Sequence, residues 1–190
     1  MKELIGGVAI ILTFIAFASY IKSIVKGKTK PHVFSWVIWG IATLTVFAAQ
    51  YSDGGGAGSW SIGVSGLITS GIAIYSYFHK ADISITKSDW VFFILALLAI
   101  PLWYVTSDPM WSVILLTTID ALGYLPTFRK SYHHPHQENL FLYVVLGIRN
   151  LMSVVSLEHY SITTVSFPLV IAIVNAVFIF MVLWRRKMLD

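Results

Sequence analysis

The chain contains no cysteine, and that one absence removes disulfides, thiolate metal sites and a cysteine nucleophile together. Charge is scarce as well. Only 12% of residues are Asp, Glu, Lys or Arg, where a soluble globule carries about a quarter. With 57% hydrophobic residues and a mean hydropathy of +0.77, there is too little polar surface to close around a water-soluble core. The composition reads as an integral membrane protein. Catalytic patterns are missing too: neither a His-Glu-x-x-His metal motif nor a Ser-His-Asp arrangement stands out, so no enzyme, metal site or cofactor is expected. The last apolar run holds no lysine for a retinal Schiff base. The glycine-rich stretch Asp53-Gly-Gly-Gly-Ala-Gly-Ser59 follows no strand, so it reads as a flexible loop and not as a phosphate cradle.

What the chain does have is apolar length. Runs of roughly 17 to 25 residues, enough to cross a bilayer, fall at Leu4 to Val25, Val33 to Gln50, Ser59 to Phe78, Trp90 to Val105, Met110 to Phe128, Leu140 to Leu157 and Thr163 to Trp184. The sequence therefore predicts an all-α integral membrane fold of seven transmembrane helices joined by short loops. The first run lacks the basic leader and small-residue cleavage site of a removable signal peptide, and is expected to stay. Trp90 to Val105 is the shortest run and carries Pro101.

Orientation follows from the basic residues of short loops. Eleven of the thirteen, among them Lys22, Lys26, Lys87, Arg129, Arg185 and Arg186, fall on one side of a seven-span topology. That side is expected to be cytoplasmic and to hold the C-terminus, with the N-terminus outside, in a multi-pass cell-membrane protein. Trp60, Trp103 and Trp111 would form an outer aromatic belt, and Trp90 and Trp184 would mark the inner interface. The net charge of +4 thus reads as topology, and no nucleic-acid partner is expected.

The chain also says one thing twice. Phe34-Ser-Trp-Val-Ile-Trp-Gly-Ile-Ala-Thr-Leu44 is answered by Phe141-Leu-Tyr-Val-Val-Leu-Gly-Ile-Arg-Asn-Leu151, with Trp36 opposite Tyr143 and Thr43 opposite Asn150. Upstream, Tyr20 to Lys26 aligns with Tyr124 to Lys130 in the same order. Collinear matches of this kind mark an internal repeat. They divide one membrane domain, 1–190, into a first three-helix repeat (1–80), a linker helix (88–106) and a second three-helix repeat (109–187). The inserted helix lets the two odd-numbered units run parallel, a 3+1+3 plan.

This plan resembles the PQ-loop superfamily, and within it the SWEET-like (MtN3) sugar facilitators and their single-unit bacterial relatives. Ile21-Lys22 and Pro126-Thr127 stand where that family has its proline-glutamine pairs. The resemblance implies transport by alternating access. It implies a helix-7 asparagine at the site, here Asn175, with Thr69 or Ser70 as the first-unit counterpart. Nicotinamide-riboside carriers are similar in plan and have tryptophan- and asparagine-bearing helices, to which Trp36, Trp39 and Asn150 would correspond. The KDEL receptor also looks like this fold while acting as a receptor, so fold alone does not decide function.

Depth and face single out a site. At 1.5 Å per residue, Thr43, Thr69, Asp120, Asn150 and Asn175 each lie nine or ten residues from the basic end of their helix, about 14 to 15 Å, which is half of a ~30 Å hydrocarbon core. Trp36, Gly40 and Thr43 share one helical stripe, and Tyr143, Gly147 and Asn150 share the matching one. The expected substrate-binding set is Trp36, Thr43, Thr69, Tyr143, Asn150 and Asn175: the rings stack on or gate the solute, the polar groups hydrogen-bond it, and the glycines leave room. Competing with this is simple packing, in which the glycines bring helices together and the rings fill core. Trp39 is expected to face away, toward packing or lipid.

Asp120 and Arg149 are the costly residues, roughly 2.5 to 3.5 kcal/mol each at the centre of a lipid-facing helix, so both should face the interior. They are assigned to proton or charge coupling. The competing reading is a mutual ion pair tying the fifth helix to the sixth. Pro126 and Pro168 are candidate hinges, and kinks that only shape packing account for them equally well. His133-His134-Pro135-His136 reads as a solvated basic loop in preference to a metal site. The expected function is a facilitator or proton-coupled carrier of a small polar solute such as a sugar, amino acid or vitamin. A seven-helix receptor or sorting protein of the same fold is the alternative. The expected partners are the solute and the lipid bilayer, with homo-oligomerisation left open.

Overall fold

The computed structural model describes residues 1–26, 31, 33–79, 87–124, 128, 131–133, 135–137 and 140–189. In chain order its α-helices are α1 (Lys2–Val25), α2 (Val33–Ser52), α3 (Ala57–Phe78), α4 (Lys87–Thr106), α5 (Pro109–Gly123), α6 (Leu140–Val155) and α7 (Ile162–Leu189), with residues 131–133 also helical and a 3-10 turn at Pro135–Gln137. Helices satisfy their own backbone groups, which is what a medium without water demands. Helix α5 begins as its sequence dictates: Pro109 occupies the first turn, and the Asp108 carboxylate accepts from the Met110 N–H at 2.9 Å.

Four helical stretches, Lys2–Lys22, Val33–Ser52, Ala57–Phe78 and Ile162–Leu189, are long and apolar enough to cross a membrane. Trp90–Thr106, Pro109–Gly123 and Leu140–Val155 are apolar but shorter. Each expected run thus overlaps an apolar helix, and among the described residues four of these reach full spanning length; of the run Met110 to Phe128, α5 covers the part up to Gly123, and residues 125–127 lie outside the described residues. The run ending at Leu157 stops two residues early because Ser156 leaves the helix in a turn, its hydroxyl donating to the Met152 carbonyl at 2.8 Å.

Burial has the pattern of a membrane-embedded protein. Leu4, Ile11, Phe14, Leu67, Ile74, Ile94, Ile148 and Phe180 face outward, while Thr13, Ser61, Ser65, Ser153, Asn150 and Asn175 are buried. In water that arrangement would be inverted. In lipid it places large apolar chains against hydrocarbon and small or polar ones between helices. Trp60, Trp90, Trp111 and Trp184 are exposed near helix ends.

The packing is regular. Helix α3 lies against both α1 and α2, and α7 lies against both α5 and α6. Between these groups α1 packs on α6, α2 on α5, α3 on α6 and α2 on α7, while α4 sits outside against α5 and α2. The apolar core is centred on α2, with Ile38, Ala42 and Val46 meeting Leu116 and Ile119 of α5 and Phe167 and Ile171 of α7.

The two ends of the bundle differ. At the end holding the α2–α3 and α6–α7 connections, the connections bind each other. Gln50 Nε2 donates to the Thr164 carbonyl at 2.9 Å, the Glu158 N–H donates to the Gly55 carbonyl at 3.2 Å, and the Ser161 hydroxyl donates to the Asp53 carboxylate. Just inside, Ser61 and Ser153 share a hydrogen bond of 2.5 Å, and a Cβ at Gly58 would fall 2.7 Å from the Leu157 Cα. This end is closed by close approach of backbones. The opposite end carries Lys22, Lys26, Arg185, Arg186 and Lys187. There Arg186 Nε donates to the Pro135 carbonyl at 3.1 Å, anchoring the histidine-bearing segment. His133 and His136 are exposed and His134 lies outside the described residues.

Candidate functional site

Between the closed end and the basic end lies a cavity of about 280 Å³. Each of α1, α2, α3, α5, α6 and α7 contributes to its wall; among the described residues none of α4 does. Thr43 of α2, Ser65 and Thr69 of α3, Asp120 of α5, and Arg149 and Asn150 of α6 supply its polar lining. Depth explains why they meet. Thr43, Ser65 and Thr69 sit mid-helix and Arg149 and Asn150 just past the middle of α6, while Asp120 lies three residues before α5 ends at Gly123; helices packed side by side bring these levels together.

The basic-end half of the wall is aromatic. Tyr20 stacks on Trp36 with centroids 5.0 Å apart, and Trp39 meets Trp36 edge-on at 5.5 Å. Tyr124 meets Tyr143 edge-on at 6.5 Å, and Tyr143 leans on Phe178 at 4.3 Å. Tyr20 and Tyr124 occupy equivalent places in the sequence repeat, as do Trp36 and Tyr143, so two repeat-related ring pairs face one space.

Of the expected binding set, Trp36, Thr43, Thr69, Tyr143 and Asn150 line this cavity. Asn175 does not. It is fully buried behind the wall, where its Oδ1 accepts from the Tyr124 hydroxyl at 3.2 Å. Its role is to hold the ring that faces the cavity. Trp39 corrects the expectation that it faces away, since its ring lines the cavity. Helix pitch alone rotates Trp39 off the Trp36 stripe, but an indole is long enough to reach back around the helix to the same space. The glycines serve packing and do not enlarge the site. A Cβ at Gly40 would fall 2.7 Å from Ser70 Oγ and 3.4 Å from Ser70 Cα, and one at Gly147 would fall 3.6 Å from the Asn175 Cβ. Ser70, not Thr69, is therefore the packing counterpart of Asn175. Pro168 is buried within α7, next to the cavity-lining Phe167. Pro126 lies outside the described residues.

Asp120 and Arg149 both line the cavity, and among the described residues no ion pair within 4.0 Å joins them. Arg149 is buried; its Nη1 donates to Asn150 Oδ1 at 3.0 Å and its Nη2 to Ser65 Oγ at 3.4 Å. Its Nε and the Asn150 Nδ2 have no partner. Buried donors left without acceptors are costly, about 1 to 3 kcal/mol each, so this cluster is short of an acceptor.

Tyr20, Tyr124, Ser65 and Trp39 were not singled out by depth and stripe. The two tyrosines did carry a signal, since they are the aromatic residues that open the upstream repeat match. Ser65 had none, being one of several small polar residues in α3. Comparison with family models, with curated proteins and with solved structures finds no match to this chain.

Proposed function

We propose that the protein is a membrane transporter of a small polar solute, with two three-helix units rocking about the cavity between them. The observation that carries this reading is the cavity itself. It is mid-depth, lined with polar and charged groups short of partners, and contributed to by both halves of the chain. Carriers built from repeats bind their solute at such an interface.

The pairing of helices supports the 3+1+3 plan. Each contact inside the first three helices, α3 with α1 and with α2, recurs as α7 with α5 and with α6. Each contact between the groups has its mate, α1 with α6 answering α5 with α2. Helix α4, outside both, is the linker. The plan makes all seven helices spans, with the N-terminus outside and the basic end cytoplasmic, as the loop charges indicate. The bonded loops are then the closed outer gate, and the Tyr20–Trp36 and Tyr124–Tyr143 pairs flank the route to the cytoplasm. The solute site is Trp36, Thr43, Thr69, Asn150 and Arg149, with Asp120 as the group available for proton coupling and Pro168 as a hinge in α7.

The test is uptake by the purified protein in proteoliposomes against a panel of sugars, amino acids and vitamins. Saturable uptake of at least one solute, lost in Asn150→Ala, is expected. Accumulation driven by an imposed pH gradient makes the protein a coupled carrier, and equilibration alone makes it a facilitator. A solute that raises thermal stability but is never moved across the bilayer makes it a receptor and sinks the proposal.

A further inference from the structure

We infer that the cavity is built for a zwitterion, a single α-amino acid whose ammonium group meets Asp120, whose carboxylate meets Arg149 and Asn150, and whose apolar side chain lies among Trp36, Trp39 and Tyr143. The inference rests on the carrier reading and deepens it by naming the solute class.

The charges are the first ground. One carboxylate and one guanidinium line the same cavity without forming an ion pair, and Asp120 takes no hydrogen bond among the described residues. Arg149 spends its two terminal nitrogens on the neutral oxygens of Asn150 and Ser65, and its Nε on nothing. An ion away from water is tolerated when an opposite charge or several hydrogen bonds meet it. The site as a whole is neutral, yet each ion lacks a counter-charge in contact. A sugar would offer hydroxyls and leave both ions without one. An amine would satisfy Asp120 alone, and a carboxylate Arg149 alone. A zwitterion satisfies both and carries no net charge through the bilayer.

The unused donors are the second ground. Arg149 Nε and Asn150 Nδ2 sit on adjacent residues of α6. Both atoms are buried beneath the cavity surface, so a carboxylate, with its two oxygens, accepts from them only once the two side chains turn toward it, a charge-assisted contact stronger than a neutral hydrogen bond. The walls are the third. Their aromatic faces offer an apolar slot beside the charges, and about 280 Å³ lies just under the roughly 300 to 1,000 Å³ of ligand cavities. A single amino acid with a flat side chain suits that space better than a peptide or disaccharide.

Three ligands of one skeleton test this: L-phenylalanine, 2-phenylethylamine without the carboxylate, and 3-phenylpropionate without the ammonium. Binding to the detergent-solubilised protein is read from intrinsic tryptophan fluorescence, to which Trp36 and Trp39 contribute, together with thermal shift. Phenylalanine is expected to bind at least about tenfold more tightly than either single-charge analogue, the scale of one charge-assisted contact. In Arg149→Gln, phenylalanine should fall to the affinity of phenylethylamine, and phenylethylamine itself should be unchanged. Asp120→Asn should do the mirror image with phenylpropionate. The wild-type series decides the matter without variants, should either fail to fold. Equal affinities across the three, tighter binding of a single-charge analogue, or no binding of phenylalanine overturns the inference. Glucose uptake without phenylalanine binding removes the zwitterion site and keeps transport; phenylalanine binding without uptake of any solute removes transport and keeps the site.

Discussion

The two halves of the repeat share a skeleton and differ in chemistry. Tyr20 and Trp36 in the first half match Tyr124 and Tyr143 in the second, and both pairs place rings on the same cavity. Behind the rings the halves part. Ala16 and Ala42 are almost wholly buried in the first half, where the second has Asp120 and Arg149 at the cavity wall. Thr43 stands where the second half has Asn150, and Ser70 packs on Gly40 where Asn175 packs on Gly147. The first half is the closer-packed wall, and the second supplies both charged residues among the described residues that line the cavity. Similar packing is thus compatible with different chemistry, because the groups that line the shared space need to come from one wall only.

Moving charge into the first half should break this comparison outright. Ala42 is in the apolar core formed with α5 and α7, so Ala42→Arg leaves a guanidinium without a counter-charge among Val46, Leu116 and Ile119. The expected cost is about 3 kcal/mol or more, read as loss of a monodisperse peak on size-exclusion chromatography. A well-folded Ala42→Arg protein would show the first half to be as tolerant as the second. A smaller difference separates the ring pairs. Trp36→Ala removes a ring in contact with both Tyr20 and Trp39, and should lower thermal stability by about 3 to 5 kcal/mol in unfolding terms. Tyr143→Ala should cost less, since its partner Tyr124 stays held by Asn175. Equal losses would say that the looser pair is as structural as the tight one.

The smallest effect is at the glycines. Gly40→Ala meets Ser70 at 2.7 Å and should destabilise by about 1 to 3 kcal/mol through overpacking. Gly147→Ala, with 3.6 Å of room, should be near neutral and could gain a few tenths of a kcal/mol from helix propensity. Thermal denaturation of the two variants side by side reads the contrast, and an equal response would mean that α2–α3 and α6–α7 pack alike.

Much of the molecule was legible in the chain. Hydropathy located α1 to α7, because the need to bury apolar length in lipid is satisfied segment by segment; it did not locate the short helical pieces at 131–133 and Pro135–Gln137. Counting residues from the basic end singled out Thr43, Thr69, Asp120, Asn150 and Asn175, and the first four line one cavity because neighbouring helices run side by side. The repeat paired Tyr20 with Tyr124 and Trp36 with Tyr143 before any contact was known. What only the tertiary structure decided was rotation and reach. Trp39 reaches the cavity, Asn175 stands one layer behind it, Gly40 is filled by Ser70, and Asp120 stays out of contact with Arg149. Each of these turns on an ångström or two between side chains of different helices, and no local pattern in the sequence carries that distance.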